Sequence, residues 1–262
     1  MQPKRKLLES AAAEILEQIR LGVPHAVMIE VVIRKSNPPF GGDLSYSHVA
    51  EDSRQKLQQL IKEHRYIREL SQYGLPVSNK ILLHGYSGCG KTTTAKALAT
   101  ALDKPIYILN LSNLISSRIG ETSQHIKQVF DKAGREKAVL FLDEFDQIGK
   151  ARISEEKDVG EMRRLVNTII QLIDYFPAEA VLIAATNHPE ILDTAIIRRF
   201  QLRLAFELPT HAQLDAYYAK LFSPFPQYDA LVSRIYDVSY AEAKDYIYDA
   251  VKFLLIKALE QQ

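Results

Sequence analysis

Apolar positions in this chain gather into short runs separated by amphipathic stretches. Five runs read as strands: Ile81–His84, Ile106–Leu109, Val139–Leu142, Val181–Ala185 and Leu202–Phe206. Such runs suit strands covered on both faces. Helical spacing fills the intervals between the first four. Alternating strands and helices predict an α/β fold with a parallel sheet and helices on both faces. Val49–Leu70 reads as a helix ahead of the first run, and after Leu208-Pro209-Thr210 the pattern changes to helices only. Residues 3–21 read as an amphipathic helix ended at Gly22-Val23-Pro24, and His25–Ile33, with Val27, Ile29, Val31 and Val32, is compatible with a strand. Asn37-Pro38-Pro39-Phe40-Gly41-Gly42 is a break rich in turn formers. The expected division is an N-terminal extension at 1–45, an α/β module at 46–210 and a helical part at 211–262.

Composition narrows the class. A chain of 262 residues holds one large domain, or a domain with a small companion. A hydrophobic share of 47% is ample for a core, and 25% charged residues is ordinary. No run approaches the roughly 18 apolar residues of a membrane span. The basic start, Met1 to Lys6, leads into an amphipathic stretch carrying Glu14 and Glu17, which is a helix rather than a secretory signal. One cysteine excludes an internal disulfide and fits a reducing compartment, so a cytoplasmic location is expected. A net charge of +1 gives no global pointer to nucleic acid. The seven histidines lack metal-ligand spacing, so no transition-metal site is expected.

The chemistry concentrates after the first run. Gly85-Tyr86-Ser87-Gly88-Cys89-Gly90-Lys91-Thr92 has the pattern Gly-x-x-x-x-Gly-Lys-Thr, set between the strand at 80–84 and a helix from Thr93 to Leu102. Glycines let the backbone wrap an anion and aim N–H groups at it. The positive end of the following helix adds to the attraction. Residues Gly85 to Thr93 are therefore the candidates for binding ATP, with Lys91 on the β- and γ-phosphates and the Thr92 hydroxyl on Mg²⁺. A second run, Ala138 to Leu142, ends in Asp143-Glu144, where open α/β sheets place their ligands. Asp143 is the expected direct or outer-shell partner of Mg²⁺, and Glu144 the base for an attacking water. A third run ends in Thr186-Asn187: the Asn187 amide either holds that water or is a strand-ending turn residue. Arg198-Arg199, ahead of Phe200, offers the guanidinium fork that suits phosphate, or a solvated charge pair at a helix end.

In this order the segments resemble the AAA+ ATPases, more closely the AAA branch that includes protein-remodelling enzymes. Leu83 to Thr92 resembles Walker A, Phe141 to Asp146 Walker B, Ala185-Thr186-Asn187 sensor 1, and Leu192 to Phe200 the arginine-finger segment. Ile119-Gly120-Glu121-Thr122, with Ile126 and Val129-Phe130, is similar to the helix after the second strand of the family. The resemblance covers roughly residues 50–255. It implies a P-loop NTPase with a five-stranded parallel sheet and a small C-terminal helical lid at 211–262. It also implies ATP hydrolysis with Mg²⁺, and arginines that reach the nucleotide of a neighbouring subunit. The expected assembly is a homo-oligomeric ring, most readily of six. The expected role of such a compact, single-module, bacterial-type member is to remodel or regulate a separate protein. A DNA-directed ATPase and an ATP-dependent assembly switch are the alternatives.

Some positions depart from the family pattern. Arg118 stands where protein-threading relatives carry a pore aromatic. Val238 to Ala243, the second-sensor region, has no arginine. The usual proline-glycine spacer between the arginines is missing, which leaves open whether Arg198 or Arg199 is the main finger. Cys89 is either an oxidisable block on the loop or a small residue that fits. Arg163-Arg164 reach a subunit interface or a pore loop, or lie on a solvated helix face. Tyr217, Tyr218, Tyr236, Tyr240, Tyr246 and Tyr248 pack the lid or line the adenine pocket.

Overall fold

A computed structural model describes residues 29–32, 51–112, 119–153 and 159–260. The expected helix at 3–21, the break at 37–42 and Arg118 lie outside them. Six strands form one sheet: β1 (Ile29–Val32), β2 (Lys80–Gly85), β3 (Ile106–Asn110), β4 (Val139–Asp143), β5 (Val181–Thr186) and β6 (Leu202–Phe206). Their order across the sheet is β1-β3-β4-β5-β2-β6. The five strands read from the apolar runs are all parallel. β1 is a sixth, antiparallel to β3 with Ile29 opposite Leu109, so this part of the N-terminal extension joins the same sheet.

Two cores explain why the parallel strands are continuous apolar runs. On one face Ile81, Leu83, Phe141 and Ile183 pack under Leu57 and Leu60 of α1 (Glu51–Arg65) and Ala95 and Leu98 of α3 (Lys91–Ala101). On the other, Leu82, Leu140 and Leu182 pack under Ile126 and Phe130 of α4 (Ile119–Arg135) and Leu165 and Ile169 of α6 (Val159–Asp174). Alternate side chains of each strand point to opposite faces, so both sets must be apolar.

The helix expected over 49–70 is divided at Tyr66, whose φ of −108° and ψ of 25° separate α1 from α2 (Ile67–Gln72). None of the α2 residues is buried, so no core contact holds it in line with α1. Two short helices follow strands: α5 (Asp146–Ile153) after β4, and α7 (Thr194–Ile197) ahead of β6. Beyond β6, α8 (His211–Phe222) and α9 (Tyr240–Leu259) build a third, separate core from Leu214, Tyr218, Phe222, Ala243 and Ile247. Capping boxes start both helices, Thr210 with Gln213 and Ser239 with Glu242. Among the described residues no helix is long and apolar enough to cross a membrane.

Candidate functional site

The carboxyl ends of β3, β4, β5 and β2 lie side by side, and they bring Asn110, Asp143, Thr186 and His84 to one edge of the sheet. The loop leaving β2 is anchored by the Tyr86 N–H, which donates to the Phe206 carbonyl of β6 at 2.9 Å. Gly88 and Gly90 adopt φ of 70° and 97°, which side chains disfavour. Gly90 is the N-cap of α3 and supplies no side-chain cap, so first-turn N–H groups stay available to an anion. Tyr86, Ser87, Gly88 and Thr93 are exposed, Thr92 is half-buried, and Cys89 is buried. Burial pushes the Cys89 thiol up in pKa, which disfavours the reactive thiolate and supports the packing reading.

Lys91 is buried at 9% exposure, and its ammonium donates to the Gly85 and Tyr86 carbonyls at 2.8 and 2.7 Å. Burial lowers its pKa, while Cys89 and Asp143 pull it back up. Burial also raises Asp143, against a hydrogen bond from the Glu144 N–H at 3.0 Å and the nearby Lys91 charge. Lys91 and Asp143 thus share one partly dehydrated space. Glu144 follows in a left-handed conformation with φ of 54°, a conformation stored at functional sites more often than elsewhere. Thr92 and Asp143 offer hard oxygen donors, which fit Mg²⁺; that ion commonly takes one or two protein oxygens and completes its shell with phosphates and water.

A staple that sequence reasoning missed ties β4 to β5. The Phe145 N–H donates to the Ala185 carbonyl at 2.8 Å. The Thr186 hydroxyl donates to Asp146 Oδ1 at 3.1 Å and accepts from the His188 N–H at 2.9 Å. Asp146 and Thr186 are both buried. They fix the backbone on either side of Glu144 and of Asn187, which is exposed one residue past β5.

The arginines are elsewhere. α7 begins with Asp193 accepting the Ala195 N–H at 2.7 Å and ends at Arg198, just ahead of β6. Leu202 of β6 is level with Ile81, near the start of β2, whereas the phosphate loop leaves its end. The turn that carries Arg198 and Arg199 thus lies beside the start of β2, about 13 Å of strand away from the loop at its other end. Arg198 is exposed, while Arg199 forms an ion pair with Asp174 at 2.8 Å.

The helical part touches the loop at Gly88. The Ala241 N–H donates to the Gly88 carbonyl at 3.2 Å, and a Cβ at Gly88 would lie 2.6 Å from Ser239 Oγ. Tyr240 stacks edge-on against Tyr217 at 5.0 Å, and Tyr218 is fully buried, so these tyrosines pack the small core. Arg163 and Arg164 lie exposed on α6.

A glycine loop between β2 and α3, acids at the end of β4, and strands in this order are the fold of a P-loop NTPase. Residues 81–208 match the ATPase family associated with various cellular activities (AAA), and the chain belongs to that family. It is 36% identical over 205 residues to an uncharacterized AAA family ATPase, y4kL, of Sinorhizobium fredii, covering 77% of this chain and 62% of that protein. It is 30% identical over 203 residues to a provisionally named 26S proteasome regulatory subunit homolog of Methanothermobacter thermautotrophicus, covering 74% and 54%. The chain therefore spans between half and two thirds of the length of these relatives. The crystal structure of the FIGL-1 AAA domain shares the fold, with a TM-score of 0.63 at 19% identity over 88% of this chain and 75% of that one.

Proposed function

We propose that this chain binds ATP on the loop from Gly85 to Thr93 and hydrolyses it to ADP and phosphate, at sites completed by a neighbouring copy. The observation that carries the reading is a buried Lys91 seated on the Gly85 and Tyr86 carbonyls of a glycine loop whose helix has no side-chain cap at its N-terminus. Lys91 leaves the two loop carbonyls it now holds and takes the β- and γ-phosphate oxygens. Thr92 and Asp143 would hold Mg²⁺, which neutralises charge building on the transferred phosphoryl group. Glu144 accepts the proton of the attacking water, and Asn187 orients that water from the adjacent strand. The turn that carries Arg198 and Arg199, too far from its own loop, meets the nucleotide of the next subunit. That head-to-tail contact closes into a ring, which we take to be a hexamer.

The work is done on a separate protein. Similarity to a proteasome regulatory subunit homolog supports handling of protein rather than nucleic acid, as does the near-neutral net charge of +1. Residues 46–210 act as the nucleotide-binding module and 211–262 as its lid. Glu144→Gln tests the scheme, because it removes the base and leaves the phosphate contacts intact. The variant is expected to bind ATP, turn it over at least about a hundredfold more slowly, and shift on ATP from small species to a six-subunit particle by mass photometry. A variant that binds ATP and stays a monomer contradicts the shared site.

A further inference from the structure

We infer that the two adjacent arginines divide their work: Arg198 is the cation presented to the neighbouring subunit's nucleotide, and Arg199 is a positioning residue held by Asp174. The inference rests on the shared-site reading above and assigns Asp174 a part in it.

The two side chains are in different circumstances. Arg198 caps the C-terminus of α7, is exposed, and among the described residues forms no ion pair or side-chain hydrogen bond. Arg199 turns back on its own subunit. Its Nη1 donates to the Ala195 carbonyl, and its Nε lies 2.8 Å from Asp174 Oδ1 at the end of α6. The Asp174 carbonyl also accepts from Lys80 Nζ at 3.1 Å, and the Lys80 N–H donates to Gln201 Oε1 at 2.8 Å. The end of α6, the start of β2 and the turn into β6 are thereby tied at one corner. Phe200, 1% exposed, pins the same turn from the core side, edge-on to Phe145 at 5.5 Å.

Electrostatics assigns the roles. Asp174 cancels most of the field that Arg199 offers at a distance, and the Ala195 carbonyl occupies part of its donor fork. Among the described residues no carboxylate pairs with Arg198. The pair is partly solvated, with side chains 29% and 40% exposed, and such pairs add little stability. Its effect is geometric. With one arginine anchored, its neighbour is held outward with less freedom to lose when a partner arrives.

The test uses ATP turnover with binding of a non-hydrolysable analogue as the control for folding. Arg198→Ala is expected to lower kcat by about a hundredfold or more with analogue affinity unchanged, and mixing it with Lys91→Ala subunits is expected to restore part of the rate. Arg199→Asp is expected to lower kcat by about tenfold, and adding Asp174→Arg to bring it back to within about threefold of wild type. The swap rebuilds the ion pair with its charges reversed, which a residue that itself touches phosphate does not survive. Asp174→Asn gives a second reading. A positioning role lowers kcat, whereas an Arg199 that is itself the finger would be freed, and kcat would hold or rise. A swap that fails to restore turnover in a protein that binds the analogue, or an Asp174→Asn that is as fast as wild type, overturns the division and leaves the shared site standing. If neither arginine variant slows hydrolysis, or mixing restores nothing, the shared site itself falls and the division with it.

Discussion

Lys91 spends its ammonium on two carbonyls of its own loop, and those bonds must be exchanged for phosphate oxygens when nucleotide binds. The exchange is favourable because a buried ammonium gains more from charged oxygens than from neutral ones. Lys91→Ala removes the cation and leaves an anion with backbone N–H groups alone. ATP affinity is expected to fall by at least about a hundredfold in calorimetry, while the melting temperature stays within a few degrees of wild type. Unchanged affinity would sink the assignment of the loop. The loop residues were legible in the sequence because they are contiguous, and their spacing mirrors the geometry of a wrapped anion. Asp174, Asp146 and Thr186 were not legible in their roles. Each acts through a partner far along the chain, Asp146 through a hydroxyl 40 residues on, and only the folded sheet sets such pairs. For Arg199 no local signal separates a finger from a strut.

At the level of elements, α1 is docked by a side chain that also responds to pH. His64, 8% exposed in its last turn, bonds the Ser78 carbonyl through Nε2 at 3.1 Å. Burial, then the Lys104 charge, hold its pKa below the ordinary 6.5. The unfolded chain therefore takes up a proton at a higher pH than the folded one. Stability from this group is complete above pH 6.5 and is lost as pH falls from there through the depressed folded value. His64→Gln is expected to flatten the fall of chemical-denaturation stability across that window; an unaltered pH slope would refute it. The parallel strands and the helices over them were readable from apolar runs alone, since burial on both faces forces such runs. The direction of β1 and its pairing with β3 were not, because a short apolar stretch carries no record of which edge it joins. The break at Tyr66 was invisible for a related reason: α2 keeps helical composition but has nothing to pack against.

Across the whole molecule, the helical part and the sheet domain have separate cores and meet over the phosphate loop. Gly88→Ala would set a methyl 2.6 Å from Ser239 Oγ and 2.9 Å from the Ala241 Cβ, in a backbone with φ of +70°. The expected result is a displaced N-terminus of α9, seen as faster amide exchange over residues 239–243, together with weaker ATP binding. Ala241→Pro makes the complementary change. It deletes the N–H given to Gly88 and leaves α9 intact, because proline is tolerated in a first helical turn. Exchange unchanged in both variants would mean that the contact does not couple the two parts.

The loop and the arginines sit at opposite ends of β2, and on the shared-site reading this gives every subunit a head and a tail. An arc of such subunits ends in one loop that no arginine reaches and one Arg198 that reaches no loop. Lengthening the arc dilutes these idle ends, and only closure removes them. Turnover per subunit should then fall on dilution less steeply than all-or-none dissociation into inactive monomers requires, because each arc keeps its internal sites. A subunit that can join only by one side would block closure and leave an idle end in every particle that holds it.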